Sequence, residues 1–189
     1  NFDASYTDPA TGQLITESSS LDPELVISAC TVKVTVTDNA IAACSAGSDV
    51  TYEIFRGDGT KYSTYDGLLI VTANGTGNYS YSGSSSSDFD NLGTNDGVAR
   101  YQFSSSDNGE VTLTYSSVTP ATVTLDAYSS LAGVTGGVST ANTVVISDCT
   151  FRITYTDAIA GGTTCAAESV RIGIHDNANG SLVTDFVGS

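Results

Sequence analysis

The chain has no methionine and no tryptophan, one histidine, three prolines and only six lysines and arginines among 189 residues. Each shortage excludes something. A phosphate-binding surface needs clustered cations that release counterions, whereas Lys33, Arg56, Lys61, Arg100, Arg152 and Arg171 are spread along the chain, so nucleic acid is not an expected partner. A bare anionic membrane surface is disfavoured for the same reason. No apolar run approaches the roughly 18 residues that begin to span a bilayer, so no membrane insertion is expected. With no Met, and with no charged segment and apolar stretch after Asn1, the sequence reads as mature or excised material. It also lacks the apolar N-terminal helix of a self-sufficient type IV pilin, so a polymer would require another mode of assembly.

The residues present are small, polar and β-forming: 26 Ser, 26 Thr and 19 Gly, with 21 acidic residues that give a formal net charge of −15. This is an extracellular style of composition. At roughly 100–150 residues per domain, the length allows one large sandwich or two small domains.

An internal repeat organises the chain. Ile27-Ser-Ala-Cys30-Thr-Val-Lys-Val-Thr-Val-Thr-Asp38 recurs 119 residues later (146 − 27) as Ile146-Ser-Asp-Cys149-Thr-Phe-Arg-Ile-Thr-Tyr-Thr-Asp157. After a two-residue length difference, Cys44, Val50, Tyr52 and Ile54 correspond to Cys165, Val170, Ile172 and Ile174. Gly59-Thr60 then matches Gly180-Ser181, and Tyr65-Asp66-Gly67 matches Phe186-Val187-Gly188. Period-2 alternation predicts strands at 31–37, 50–55, 65–72, 99–104, 110–115 and 121–127 in the first copy, each with one buried face. Turn signals such as Gly57-Asp58-Gly59 and Asp107-Asn108-Gly109 separate them, and no 3.6-residue period is sustained. The expectation is an all-β, immunoglobulin-like antiparallel β-sandwich, with one complete repeat plus one incomplete repeat.

Composition divides the chain into an N-terminal extension at 1–21, a first Ig-like domain with a C-terminal linker at 22–140, and an incomplete second repeat at 141–189. Residues 80–95 read as an exposed loop and 129–143 as a flexible linker. The second copy stops after the stretch equivalent to Tyr65-Asp66-Gly67. It lacks the strands that 110–115 and 121–127 supply to the first, so Leu182, Val183 and Phe186 would sit beside an unpaired edge. Three readings follow: a slice of a longer array, completion by a neighbouring subunit, or a minimal hairpin docked on the first domain. In the second, the N-terminal segment carrying Leu14 and Ile15 is the natural donor strand. Such head-to-tail contact does not close and would build a homopolymer.

Cys30, Cys44, Cys149 and Cys165 fit two disulfides in an oxidising compartment, with three connectivities open. Since each repeat carries its own pair, Cys30–Cys44 and Cys149–Cys165 are the economical choice, closing loops of about 15 residues worth roughly 3 kcal/mol each in the chain-entropy model. Spacings of 14 (44 − 30) and 16 (165 − 149) do not make a zinc knuckle. General acid–base work needs a base held beside a reacting group, and the single His175 follows Ile174 at a strand end, where it reads as a surface turn residue. No catalytic residue and no enzymatic activity are expected. No cofactor is required, although calcium is a candidate ligand: Asp88, Asp90 and Asp96, with Asn91 and Asn95, place oxygen donors in one loop, while a solvated acidic loop is the plainer reading.

The run from Asp96 to Leu125, with its aromatic-x-Phe at Tyr101–Phe103, Asp107-Asn-Gly109, an alternating strand and Pro120-Ala-Thr-Val-Thr-Leu125, resembles the C-terminal half of bacterial immunoglobulin-like repeats of the invasin type. The cysteine half, with Cys149, Phe151-Arg-Ile, Gly162-Thr-Thr-Cys165 and Gly180-Ser-Leu-Val-Thr-Asp185-Phe-Val-Gly188, is similar to repeats in large secreted proteins encoded with mannose-sensitive haemagglutinin-type pili. The resemblance implies a sandwich module that displays, spaces or adheres at the bacterial surface. Together the readings give a non-enzymatic extracellular structural protein, a subunit or segment of a filament or pilus-associated protein assembled through strand edges. Its partners would be copies of itself or neighbouring repeats. The alternative is a calcium-assisted adhesin or glycan-binding module, with Tyr79, Tyr81 and Phe89 as stacking aromatics.

Overall fold

The computed structural model describes residues 5–7, 14–16, 30–83, 88–129, 134–137, 142–156 and 169–187. In chain order its strands are β1 Ser5–Thr7, β2 Leu14–Thr16, β3 Cys30–Val36, β4 Ala40–Ala42, β5 Ser48–Phe55, β6 Leu68–Ala73, β7 Asn78–Ser80 and β8 Phe89–Asn91. They continue with β9 Val98–Gln102, β10 Glu110–Ser116, β11 Ala121–Ser129, β12 Val134–Gly137, β13 Thr143–Ser147, β14 Cys149–Thr156 and β15 Ser169–Asp176. A five-stranded sheet, β12-β3-β5-β10-β7, and a six-stranded sheet, β4-β13-β11-β6-β9-β8, supply the two faces of one core. β1 pairs with β2 and β14 with β15 in separate hairpins. The all-β sandwich expected from the alternation is therefore present.

Alternation explains which faces meet. Val32 and Val34 of β3, Val50, Tyr52 and Ile54 of β5, and Val111, Leu113 and Tyr115 of β10 point inward from the five-stranded sheet. Leu69 and Val71, Ala99 and Tyr101, Val123, Leu125 and Ala127 answer from the other. In a chain without Trp or Met, buried tyrosines fill the large volumes, and each phenol needs a partner. Tyr52 donates to Tyr79 Oη at 3.3 Å, Tyr79 to the Thr72 carbonyl at 3.3 Å, and Tyr115 to the Thr76 carbonyl at 3.0 Å. Burial pushes the phenols of Tyr52, Tyr79, Tyr101 and Tyr115 above the ordinary tyrosine range. On the outer face Glu53 of β5 lies 3.3 Å from Lys33 of β3 and from Lys61, and Lys61, which follows β5, also pairs with Glu110 of β10, so one lysine outside the strands bridges two like charges that face each other across β5 and β10.

Six elements depart from the sequence reading, among them β1 and β7, three-residue strands that lie outside every expected strand. β4 is a three-residue strand too short to show alternation. The expected loop at 80–95 contains β8, which pairs with β9, and its Phe89 packs against the core. The expected linker at 129–143 contains β12, parallel to β3 through Val134↔Cys30 and Thr135↔Thr31. β13, assigned by the division at 140/141 to the second repeat, belongs to the first sandwich instead. It pairs with β11 through Val123↔Val144 and in parallel with β4 through Ile146↔Ile41, and it buries Val144 and Ile146. The physical reason is that β11 would otherwise expose an edge next to its own apolar residues. β12 and β13 also add two parallel pairings to a sandwich expected to be antiparallel.

Candidate functional site

The second hairpin reproduces the first residue for residue. In β3–β5 the facing pairs are Val32↔Ile54, Val34↔Tyr52 and Val36↔Val50. In β14–β15 they are Phe151↔Ile174, Ile153↔Ile172 and Tyr155↔Val170. The bridge that follows also recurs, Phe55↔Lys61 in one and His175↔Leu182 in the other. The sequence repeat is thus a structural repeat with the same register.

The surroundings differ. Val32, Val34, Val50 and Tyr52 are wholly buried under the six-stranded sheet, whereas Phe151, Ile153, Val170 and Ile172 are 76, 68, 57 and 69% exposed. Those four side chains alternate on two adjacent strands and so share one face. Scattered surface apolar residues need no explanation, whereas these four lie together on one face. The outer edge of β15 takes the Leu182 bridge and the Val183 amide at its C-terminal end, but among the described residues no strand other than β14 pairs with it, while its counterpart β5 is flanked by β3 and β10. An exposed face and an edge without a second strand coincide.

The hairpin is tied to the sandwich at one end. Cys149 is bonded to Cys44, with Cα atoms 6.2 Å apart, which replaces the expected Cys30–Cys44 and Cys149–Cys165 pairs. The cause is the parallel pairing of β4 with β13. Its register puts Ala42 beside Ser147 and runs both strands the same way, so the residues two further on, Cys44 and Cys149, emerge together. Cys30 opens β3 in the other sheet, is partly buried, and has no disulfide partner among the described residues. Cys165 lies outside them.

Around this bond the Val187 amide donates to the Cys44 carbonyl at 2.9 Å and the Ala46 amide to Asp185 Oδ2 at 3.0 Å. The Ser147 hydroxyl donates to Asp176, a carboxylate buried at the hinge of the hairpin, which also accepts the Ala178 amide at 2.8 Å. The Asn177 amide donates to the Asp148 carbonyl at 2.9 Å. Gly47 approaches the Tyr115 carbonyl so closely, at φ +105°, that any Cβ would overlap it.

The other expected site residues fall as follows. Leu182 and Phe186 are exposed and Val183 is half-buried, its amide donating to the Ile174 carbonyl at 2.8 Å. Leu14 and Ile15 lie in β2, paired with Thr7 and Tyr6. Asp88, Asp90 and Asp96 are not gathered: among the described residues no group of three or more His, Cys, Asp or Glu could hold a metal ion. Asp96 Oδ1 accepts the Val98 amide at 3.0 Å, as a turn carboxylate does. Tyr79 is in the core, and Tyr81 packs on Tyr101 at 5.3 Å and on Phe89 at 6.2 Å between ring centres, so these aromatics line the sandwich and do not form a stacking platform. His175 Nδ1 is 2.8 Å from the Gly180 carbonyl, as a donor within its own turn. No helix among the described residues is long and apolar enough to cross a membrane.

No family model and no curated protein sequence matches the chain. Among solved structures it is similar to the Yersinia pseudotuberculosis adhesin InvE, at 10% identity and a TM-score of 0.35, over 80% of this chain and 36% of that one. The chain thus spans about a third of the length of that adhesin.

Proposed function

We propose that this chain is a non-enzymatic extracellular structural protein, a subunit or segment of a bacterial surface filament or pilus-associated protein whose units join through strand edges and sheet faces. The observation that carries the reading is the pair of hairpins with one register and opposite burial. On this reading β14–β15 opens a second sandwich, and the sheet that covers β3–β5 in the first supports the expectation of a similar cover for it. Covering Phe151, Ile153, Val170 and Ile172 would contribute roughly 1.5–3 kcal/mol for each side chain fully buried, enough to hold a neighbouring unit. A contact between the C-terminal hairpin of one unit and a different surface of the next is heterologous and propagates. The charge of −15 would keep the remaining surface from associating at random.

Electron microscopy of native material, paired with intact mass after surface shearing, tests this. Filaments built from a 19.3 kDa chain, or a longer chain of such repeats at the cell surface, are the expected results. Material showing neither contradicts it. If filaments form by donation of the N-terminal strand, deleting residues 1–20 abolishes them.

A further inference from the structure

We propose that the polar face of the β14–β15 hairpin, on which Arg152 and Arg171 share one depression, docks on carboxylates of the first sandwich of a second copy of the chain. The inference rests on the assembly reading above and adds to its apolar contact a charged one, on the opposite face of the same hairpin. Phe151, Ile153, Val170 and Ile172 take one face. Alternation puts Thr150, Arg152 and Thr154 of β14, with Arg171, Gly173 and His175 of β15, on the other.

The first hairpin supplies the comparison. At the matching places β3–β5 sets Lys33 opposite Glu53 and Thr35 opposite Thr51. There the cation is neutralised, with Lys33 Nζ 3.3 Å from the Glu53 carboxylate. β14–β15 keeps the cation as Arg152 but sets Gly173 opposite it, and it sets Arg171 opposite Thr154. Relative to the first hairpin, one face thus has one carboxylate fewer and one cation more. Arg152 and Arg171 are diagonal neighbours across the strand pair, about 7–8 Å apart, so their long side chains can reach a common point. Both are exposed, and among the described residues neither is in an ion pair. With Thr154, Gly173, His175 and Leu182 they line an open depression of about 270 Å³.

Charge complementarity selects the occupant. Residues 30–148 hold 4 basic against 12 acidic residues, a formal charge of −8, so the first sandwich of any copy offers carboxylates to this guanidinium pair. A guanidinium fork takes a carboxylate with two parallel hydrogen bonds, and a carboxylate set between two like charges also relieves their repulsion. Opposite potentials on the two surfaces steer the copies together, and salt screens that attraction.

The test is sedimentation velocity of the full chain in low and high salt, beside Arg152→Ser/Arg171→Thr and Gly173→Glu. The first variant removes both cations. The second restores the counter-charge that Glu53 supplies in the first hairpin, at a position where the nearest atoms to a new Cβ are the ends of the His175 and Leu182 side chains, at 3.0 and 3.1 Å. Association of the unaltered chain should weaken on the order of tenfold between ~20 mM and ~500 mM salt, and by a similar factor in either variant at low salt. The variants should also lose the salt dependence, with melting temperatures close to that of the unaltered chain. Association that ignores both salt and the two variants overturns this contact and leaves the apolar-face reading intact. A chain that is monomeric in every condition overturns both. A monomeric chain held on a polyglutamate resin through Arg152 and Arg171 overturns the second copy as occupant and points to another carboxylate-bearing partner.

Discussion

Val32 and Phe151 hold the same register position in two hairpins of one repeat, Val32 facing Ile54 and Phe151 facing Ile174, yet Val32 is wholly buried and Phe151 is 76% exposed. Two hairpins alike in sequence and pairing thus differ in burial.

Substitutions on the two faces should separate accordingly. Leu113→Ala, in the core, should cost about 2–5 kcal/mol by denaturant unfolding, since the surrounding sheets cannot collapse onto the gap. Ile153→Ser, at an exposed position, should shift the stability of the isolated chain by no more than about 0.5 kcal/mol.

Breaking the Cys44–Cys149 bond releases a constraint across 105 residues. The chain-entropy model gives about 4.7 kcal/mol for a loop of that size, so Cys149→Ser should lower the melting temperature of the sandwich by roughly 10 °C or more. Adding reductant to the unaltered chain should reproduce the drop, and adding it to the variant should have little further effect. Calorimetry with and without reductant checks both.

Gly47→Ala combines a positive φ with a steric overlap on the Tyr115 carbonyl, and β5 begins at the very next residue. It should destabilise by more than about 1 kcal/mol, whereas Gly59→Ala, also at positive φ but with open space around it, should cost less. Urea midpoints for the two variants give the comparison.

Stability should fall at both ends of the pH scale for different reasons. Burial raises the Glu53 carboxyl, but hydrogen bonds and charge from Lys33 and Lys61 outweigh it and hold it below the usual carboxylate range. Its contribution is present above the unfolded carboxylate value near pH ~4.3 and is lost as pH falls through the lower folded value, a modest effect of about 0.5 kcal/mol for an exposed pair. The buried phenols work in the opposite sense. Their raised values contribute stability below the unfolded tyrosine value of about 10, lost as pH rises towards the folded values. Part of the tyrosinate absorbance should therefore appear only together with loss of near-ultraviolet circular dichroism, and Tyr52→Phe should reduce that part.

Much of this was legible in the residues. Val32, Val34 and Val36, or Val111, Leu113 and Tyr115, announce half-buried strands because a period of two permits only one inward face. The repeat, and with it a second hairpin of the same register, followed from the alignment of Cys30 with Cys149 and of Gly59 with Gly180. The disulfide did not. Which cysteines meet depends on β4 lying parallel to β13, a pairing between strands a hundred residues apart with no turn signal between them to fix it. For the same reason the assignment of Thr143–Ser147 to the second repeat failed: alternation shows that a strand has a buried face, not whose core receives it. Tyr79, Tyr81 and Phe89 were ambiguous in sequence because an aromatic on a short strand can serve a core or a ligand, and only packing distinguishes them.

The most direct test of the central claim, that the open β14–β15 face is completed by another unit, is sedimentation velocity of the purified chain over a wide concentration range, beside the double variant Phe151→Asp/Ile172→Asp. Concentration-dependent growth of the unaltered chain, lost in a variant that keeps its core stability, is the predicted result. An unaltered chain that stays monomeric at every concentration, or a variant that associates as well as the original, would contradict the claim.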